Sequence, residues 1–530
     1  MNITSPGAIA LFKHHNLMMK LSRRLELSGK DKAVMNLFRS FMNLCLCFGL
    51  SQGAALTTVT YATTLFGERI GSTADGIFFA TSTIASLAFA TLTVRSIGEL
   101  KAYKLSLLLF MSYEIILWLA WGRPDGSVSL HILIFIGSML GGYGFALHWT
   151  SQSLIFSSTA QSYAALCDFD AQSVSVSFSG IFAGVYVFFE MVCKLVAGIL
   201  VSISSNSHQD LSWHNFFIIF TFAIFLALVN SCNVVSPDIN QQDTTNASPV
   251  NISCEACHDR SNSSPSEPLL SNDHHNLFRG DSDYAADKPC ASWALCLRST
   301  LKPLLDVPQL IYTSPLLCYL MPINISFGVT AGFLFSFYYE NTVAAYLGYP
   351  SVGFVSAISP AVCSLLSIPL SFTAEVLGKT FIIFVGSISL SIIGWLYLVV
   401  DNSKLGTWPT VICIQVLMGI GRAVWEGVGK AIYVDVFYGK DLSSAFSAMY
   451  MVTGLLTFVS LFVFPSLQIE VMGLLIIVPS LLMVPGYAIV RAKSIRSVYS
   501  ANRPFVSEYT SDTLPEVTPS LSNKDIISPH

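Results

Sequence analysis

Apolar residues run in blocks of membrane-spanning length along most of the chain, and polar residues collect between the blocks. Twelve such stretches stand out, at 38-62, 74-94, 103-121, 128-156, 174-203, 214-234, 312-338, 350-372, 381-400, 409-436, 443-465 and 470-490. A helix needs about 20 apolar residues to cross the hydrocarbon core, so each block predicts one transmembrane helix. Six precede and six follow a polar gap from Ser236 to Lys302. That gap is rich in Ser, Asn, Asp and Pro and too poor in apolar residues to form a core, which predicts disorder. The pattern predicts an all-α polytopic membrane protein. It divides into an N-terminal tail at 1-37, a six-helix bundle at 38-235, a central loop at 236-308, a second six-helix bundle at 309-490 and a C-terminal tail at 491-530.

Composition agrees. Of the 530 residues 53% are hydrophobic and 11% charged, and mean hydropathy is +0.60, whereas ordinary soluble domains carry roughly 25% charged residues. A net charge of -4 argues against a nucleic-acid partner, which needs a clustered basic surface. Cys45, Cys167, Cys193, Cys318, Cys363 and Cys413 are scattered singly through apolar runs, where a free thiol behaves as a small hydrophobe. They imply no disulfide framework. Lys and Arg supply orientation, because they accumulate in cytosolic segments. With both ends of the chain inside, 23 of the 28 basic residues fall in inner segments and only Arg69, Arg123 and Lys404 in outer ones. Lys194 and Arg422 lie within blocks, while Lys430 is counted at the inner end of the tenth. The first block has no cleavable leader before it and is expected to act as its own signal. Residues 8-24 read either as a basic amphipathic helix at a membrane surface or as a solvated tail.

The two halves echo each other. Gly142, Gly144 and Ala146 stand to one another as Gly419, Gly421 and Ala423 do, at a constant offset of 277 residues. Short turns built on Arg95, Gly98 and Lys101 after the second block, and on Glu375, Gly378 and Lys379 after the eighth, form another pair. Six plus six spans, a long central loop and these turns resemble the major facilitator superfamily over roughly residues 35-490. Within it, the run Gly142-Tyr-Gly-Phe-Ala-Leu-His-Trp-Thr-Ser-Gln152 is similar to a signature of the Unc-ninety-three-like branch. Its second signature is matched by Gly419-Ile-Gly421, Ala423-Val424, Phe437-Tyr-Gly-Lys-Asp441 and Ala445-Phe446-Ser-Ala448. Where that branch commonly carries Asp after the second glycine, this chain has Arg422. The resemblance implies two pseudo-symmetric six-helix bundles, with spans one, four, seven and ten around a central pathway. It implies either transport of a small solute or ion by alternating access, or a non-transporting regulator or trafficking partner of another membrane protein.

Charge inside the spans is the candidate chemistry, because ionisable groups at bilayer depth are costly and usually face a protein interior or a water-filled cavity. Arg422 and Glu426, and Glu190 and Lys194, each place opposite charges one helical turn apart. Arg422 and Glu426 read either as lining of the central pathway or as a structural ion pair locking span ten to a neighbour. Glu190 and Lys194 read either as a site with Glu190 a carboxylate for ion coupling or as a self-neutralising structural pair. Glu114 has no local partner and lies toward an outer end. His148 and His131 are the groups whose ordinary titration range is near neutral. Trp149, Gln152, Gln52, Asn43, Ser51, Asn324 and Ser326 are the other polar candidates, with Glu340 at an outer end. Pro322 predicts a kink, and Tyr338 and Tyr339 read as an interfacial aromatic belt.

Other motifs are discounted. Cys254-Glu-Ala-Cys257-His258 matches a haem-attachment pattern but lies in the polar gap, as do sequons at Asn246, Asn251 and Asn262 and a dileucine-like run ending at Leu270. The chain shows no nucleotide-binding loop, no paired metal-binding His and no nucleophile elbow. An enzyme, a cofactor and a metal are therefore not expected. The expected partners are the lipid bilayer and a small solute or ion, with a membrane-protein partner under the regulator reading.

Overall fold

The computed structural model describes residues 29–124, 126–204, 209–235, 305–437 and 440–501. The haem-like motif, the three sequons of the gap, the dileucine-like run and the N-terminal amphipathic stretch lie outside them. Among the described residues there is no strand, and twelve helices are long and apolar enough to cross a membrane. They are α1 Lys30–Thr63, α2 Arg69–Ile97, α3 Glu99–Ala120, α4 Val128–Cys167, α5 Ser173–Ile203, α6 Trp213–Asn233, α7 Pro315–Leu347, α8 Tyr349–Leu377, α9 Lys379–Val399, α10 Trp408–Val436, α11 Asp441–Ser466 and α12 Ile469–Lys493. Every expected span has its helix, most of them longer than the apolar block that marks it. We call the face where α1 begins proximal and the opposite face distal.

Four of the hairpins turn on one residue each. Gly67, Gly98, Gly348 and Gly378 have φ of 79°, 84°, 82° and 86° with ψ of 160°, 155°, 156° and 151°, and each starts the next helix. That region of backbone space is essentially closed to residues with a Cβ. The positions pair across the duplication, Gly67 with Gly348 and Gly98 with Gly378. The second pair was legible in the sequence and the first was not. Nothing surrounds a Cβ placed at Gly98 or Gly378, so replacement acts through backbone strain alone. Gly98→Ala and Gly378→Ala are each expected to lose about 1–3 kcal/mol, read as a lower unfolding midpoint in detergent.

The motif glycines have matching structural duties. A Cβ at Gly142 on α4 would strike the Phe78 carbonyl oxygen on α2 and lie 2.9 Å from Thr81 Cβ, while one at Gly144 would lie 3.0 Å from Leu109 Cβ on α3. On α10, a Cβ at Gly419 would lie 2.6 Å from Val362 Cβ and 2.7 Å from the Ser359 carbonyl oxygen on α8, and one at Gly421 would strike Leu390 on α9. The small residues thus seat α4 on α2 and α3 as they seat α10 on α8 and α9. Membrane helices lack a hydrophobic drive to associate, and close backbone approach at such positions supplies van der Waals contact instead.

The halves meet along two seams, α5 with α8 and α2 with α11. Gly198 and Gly353 abut on the first, where a Cβ on Gly353 would come 2.7 Å from Gly198 Cα. Toward the proximal face the seams carry hydrogen bonds, Ser177 Oγ to Glu375 Oε1 at 2.9 Å and Thr91 Oγ1 with Ser447 Oγ at 2.9 Å.

Three spans depart from regular α-helix. Wide, π-type turns occupy 85–89 in α2, 334–344 in α7 and 424–429 in α10, and such segments recur at functional sites. Pro322 sits within the α-helical part of α7, Pro315–Phe333, and the irregular turn begins farther on at Leu334. The aromatic-belt reading of Tyr338 and Tyr339 fails. Both are buried, and Tyr338 Oη donates to the Val411 carbonyl oxygen at 3.1 Å.

Candidate functional site: a charged central cavity

Between the halves lies a cavity of about 100 Å³, several times the roughly 10–15 Å³ one water needs on the same measure. Its polar lining comes from Gln52 of α1, Trp149 of α4, Glu190 and Lys194 of α5, Tyr339 of α7, Ser356 and Ser359 of α8, Arg422 and Glu426 of α10 and Tyr450, Thr453 and Thr457 of α11. Most of the remaining wall is apolar, including Phe79, Phe145, Phe327, Phe335 and Trp425. Spans one, four, seven and ten therefore contribute as expected, joined by α2, α5, α8 and α11.

The two i,i+4 charge pairs meet across the bundle. Arg422 Nη1 donates to Glu190 Oε1 at 2.9 Å and its Nη2 donates to Oε2, a bidentate pair joining α10 to α5. Lys194 Nζ lies 2.9 Å from Glu190 Oε1, and Arg422 Nε lies 3.8 Å from Glu426 Oε1. The chain of charge then continues one residue farther than expected. Lys430 Nζ is 2.7 Å from Glu426 Oε2 and 4.2 Å from the centre of the Trp149 ring. All five side chains are at most 9% exposed. Lys430 is thus an interior residue, a correction to its placement at the inner end of span ten. Its signal was present, because Arg422, Glu426 and Lys430 repeat at four-residue intervals and so share one helix face.

The chain's geometry explains how five buried charges are tolerated. Each carboxylate contacts two bases, and the fork of Arg422 matches the two oxygens of Glu190, the geometry in which Arg pairs best. Lys430 is additionally enclosed by the rings of Trp149, Phe182 and Tyr186, at 4.2, 4.9 and 5.5 Å from their centres, where ring quadrupoles attract a cation. The π-type turn at 424–429 lies between Arg422 and Lys430. It brings Trp425 to the cavity wall, stacked on Phe327 at 4.2 Å between ring centres.

Other sequence candidates fall outside the cavity lining. Asn324 accepts from Trp425 Nε1 at 3.1 Å and donates from Nδ2 to Tyr433 Oη at 2.6 Å, so it positions a wall residue. His148 is fully buried between the Phe48 and Tyr103 rings, with Nδ1 2.8 Å from Ser106 Oγ and Nε2 3.1 Å from Ser51 Oγ. Gln152 is buried, with its side-chain oxygen accepting from Ser153 Oγ at 3.4 Å. Glu114, with no partner on its own helix, is fully buried and accepts from Thr58 Oγ1 on α1 at 2.9 Å. Among the described residues no group of three or more acids, His or Cys is placed to hold a metal.

No protein-family model and no curated protein matches the sequence. The fold, however, has many solved counterparts. The proton:xylose symporter XylE bound to 6-bromo-6-deoxy-D-glucose superposes with a TM-score of 0.55 at 11% identity, over 87% of this chain and 95% of that one. A partially occluded, inward-open structure of the xylose transporter XylE from E. coli gives 0.55 at 11% identity, over 87% and 99%. A bacterial homologue of the human peptide transporters PepT1 and PepT2 gives 0.52 at 13% identity, over 88% and 99%. Twelve spanning helices in two echoing halves, superposable on these proteins over nearly their whole length, give this chain the major facilitator fold.

Proposed function

We propose that this protein carries a small solute or ion across a membrane by alternating access, as an Unc-ninety-three-like member of the major facilitators with both ends of the bundle on the cytosolic side. The observation that carries the reading is the cavity at the seam of the two halves, crossed there by the Glu190–Arg422 pair. Alternating access requires a central site whose two walls move relative to each other. A bidentate bond between those walls is a contact that such a motion must break or remake.

The small-residue runs at Gly142 and Gly419, and the order in which they occur, support the branch. Arg422 in place of the branch's usual Asp separates this chain from its relatives in whatever ion handling that Asp performs. Uptake into proteoliposomes, screened across sugars, peptides, nucleosides and organic anions, tests the proposal. The expected outcome is uptake of one class by wild-type protein and its loss in Arg422→Met. Absence of uptake for every class, with reproducible co-purification of one membrane protein, would overturn it in favour of the regulator reading.

A further inference from the structure

The charges of the cavity and most of its unused hydrogen-bonding groups point in the same direction. Three bases, Lys194, Arg422 and Lys430, are linked through only two acids, Glu190 and Glu426, so the chain carries one positive charge more than its carboxylates neutralise. Three donors on the lining have no hydrogen-bond partner, namely Gln52 Nε2, Trp149 Nε1 and Arg422 Nε, against two acceptors, Gln52 Oε1 and Glu426 Oε2, the second of which lies 2.7 Å from the Lys430 ammonium. The residues of the three donors are 0%, 3% and 8% exposed. Buried donors of this kind ordinarily find an acceptor, and a surplus positive charge in an apolar surround attracts an anion more strongly than it would in water.

A cation finds the opposite conditions. Glu190 already contacts Arg422 and Lys194, and Glu426 already contacts Lys430. The aromatic enclosure that would suit an ammonium, formed by Trp149, Phe182 and Tyr186, is filled by Lys430 itself. Phe79, Phe145, Phe327 and Phe335 add ring faces and edges to the wall, on which an apolar body can pack.

We propose that the cavity takes a small organic anion, a carboxylate on an apolar body about the size of one ring. Its oxygens accept from Gln52, Trp149 and Arg422, and its body packs on the phenylalanines. This names a substrate class for the transport site and rests on that reading. Binding can be measured without transport, so the two stand or fall separately.

The probe is benzoate, titrated against the purified full chain in detergent and followed by tryptophan fluorescence and thermal unfolding. Benzamide removes the charge, benzylamine reverses it and acetate removes the ring. Benzoate is expected to shift both signals saturably, benzamide to bind about tenfold more weakly for want of a charge-assisted bond, and benzylamine to leave both unchanged. Acetate is expected to be weaker than benzoate, because it buries no ring.

Gln52→Leu separates a binding role from a structural one. Its polar atoms bond to nothing in the protein, so the variant is expected to unfold at the same or a higher temperature without ligand, while benzoate binds about fivefold more weakly or worse. Benzylamine binding as tightly as benzoate, benzoate without a saturable effect, or benzoate affinity unaltered in a folded Gln52→Leu protein each overturns the proposal. Benzoate binding without flux leaves it standing and counts against transport. Flux of another solute by a protein that ignores benzoate does the reverse.

Discussion

Glu190→Gln is expected to unfold far more readily than Arg422→Met, although the two substitutions delete the same ion pair. The reason is what each leaves behind. Without Arg422, Glu190 keeps Lys194 at 2.9 Å and Glu426 keeps Lys430 at 2.7 Å, so two neutral i,i+4 pairs survive, one on each half. Without the Glu190 carboxylate, Lys194 has no acid beside it and Arg422 retains only Glu426 at 3.8 Å, so three bases face one acid inside the bundle. Removing one partner so that a buried charge stands uncompensated costs about 3–5 kcal/mol. Arg422→Met should cost roughly half of that or less, because Met fills much of the same volume and no charge is stranded. Unfolding midpoints of the two variants in one detergent decide the matter. Equal losses would mean that the charges act as an isolated pair and not as a chain.

The second large effect concerns glycines of a single helix. Gly419→Ala is expected to lose about 1–3 kcal/mol, because its Cβ would press on Val362 Cβ at 2.6 Å and on the backbone oxygen of Ser359 at 2.7 Å, where backbone cannot yield. Gly427→Ala, two turns farther along α10, meets nothing nearer than Ser371 Oγ at 3.7 Å. It should be neutral or gain up to about 1 kcal/mol, since alanine loses less backbone freedom on entering a helix than glycine does. Thermal unfolding of the two variants tests whether the small-residue run is there for packing. If both lose stability equally, glycine is required along α10 for a different reason, such as the flexibility of the π-type turn at 424–429.

Much of the architecture follows from amino-acid order alone, for a definite reason. A bilayer requires each spanning segment to satisfy its own backbone hydrogen bonds, so length and apolarity predict each helix from local sequence, and the twelve blocks each correspond to one of α1 to α12. The duplication was legible in Gly142 and Gly419 because close packing admits only the smallest residues at both positions. The pairing of Gly67 with Gly348 was not, because one glycine in a polar turn carries no pattern around it.

Residue type and spacing also located the charged candidates, but could not decide between self-neutralising pairs and a pathway. The partners that each charge meets are set by tertiary structure. Glu190 and Arg422 are 232 residues apart in the chain and meet only because α5 and α10 face each other across the seam. Lys430 joined them because a π-type turn and the rings of Trp149, Phe182 and Tyr186, drawn from α4 and α5, enclose it. His148, next to Trp149 in the motif, falls outside the cavity lining because successive residues on one helix point about 100° apart. Sequence by itself thus determined the helices, their number and the internal echo, since these depend on local chain chemistry in an apolar solvent. Which charges meet, and which donors are left facing the cavity without a partner, depended on how the two halves dock.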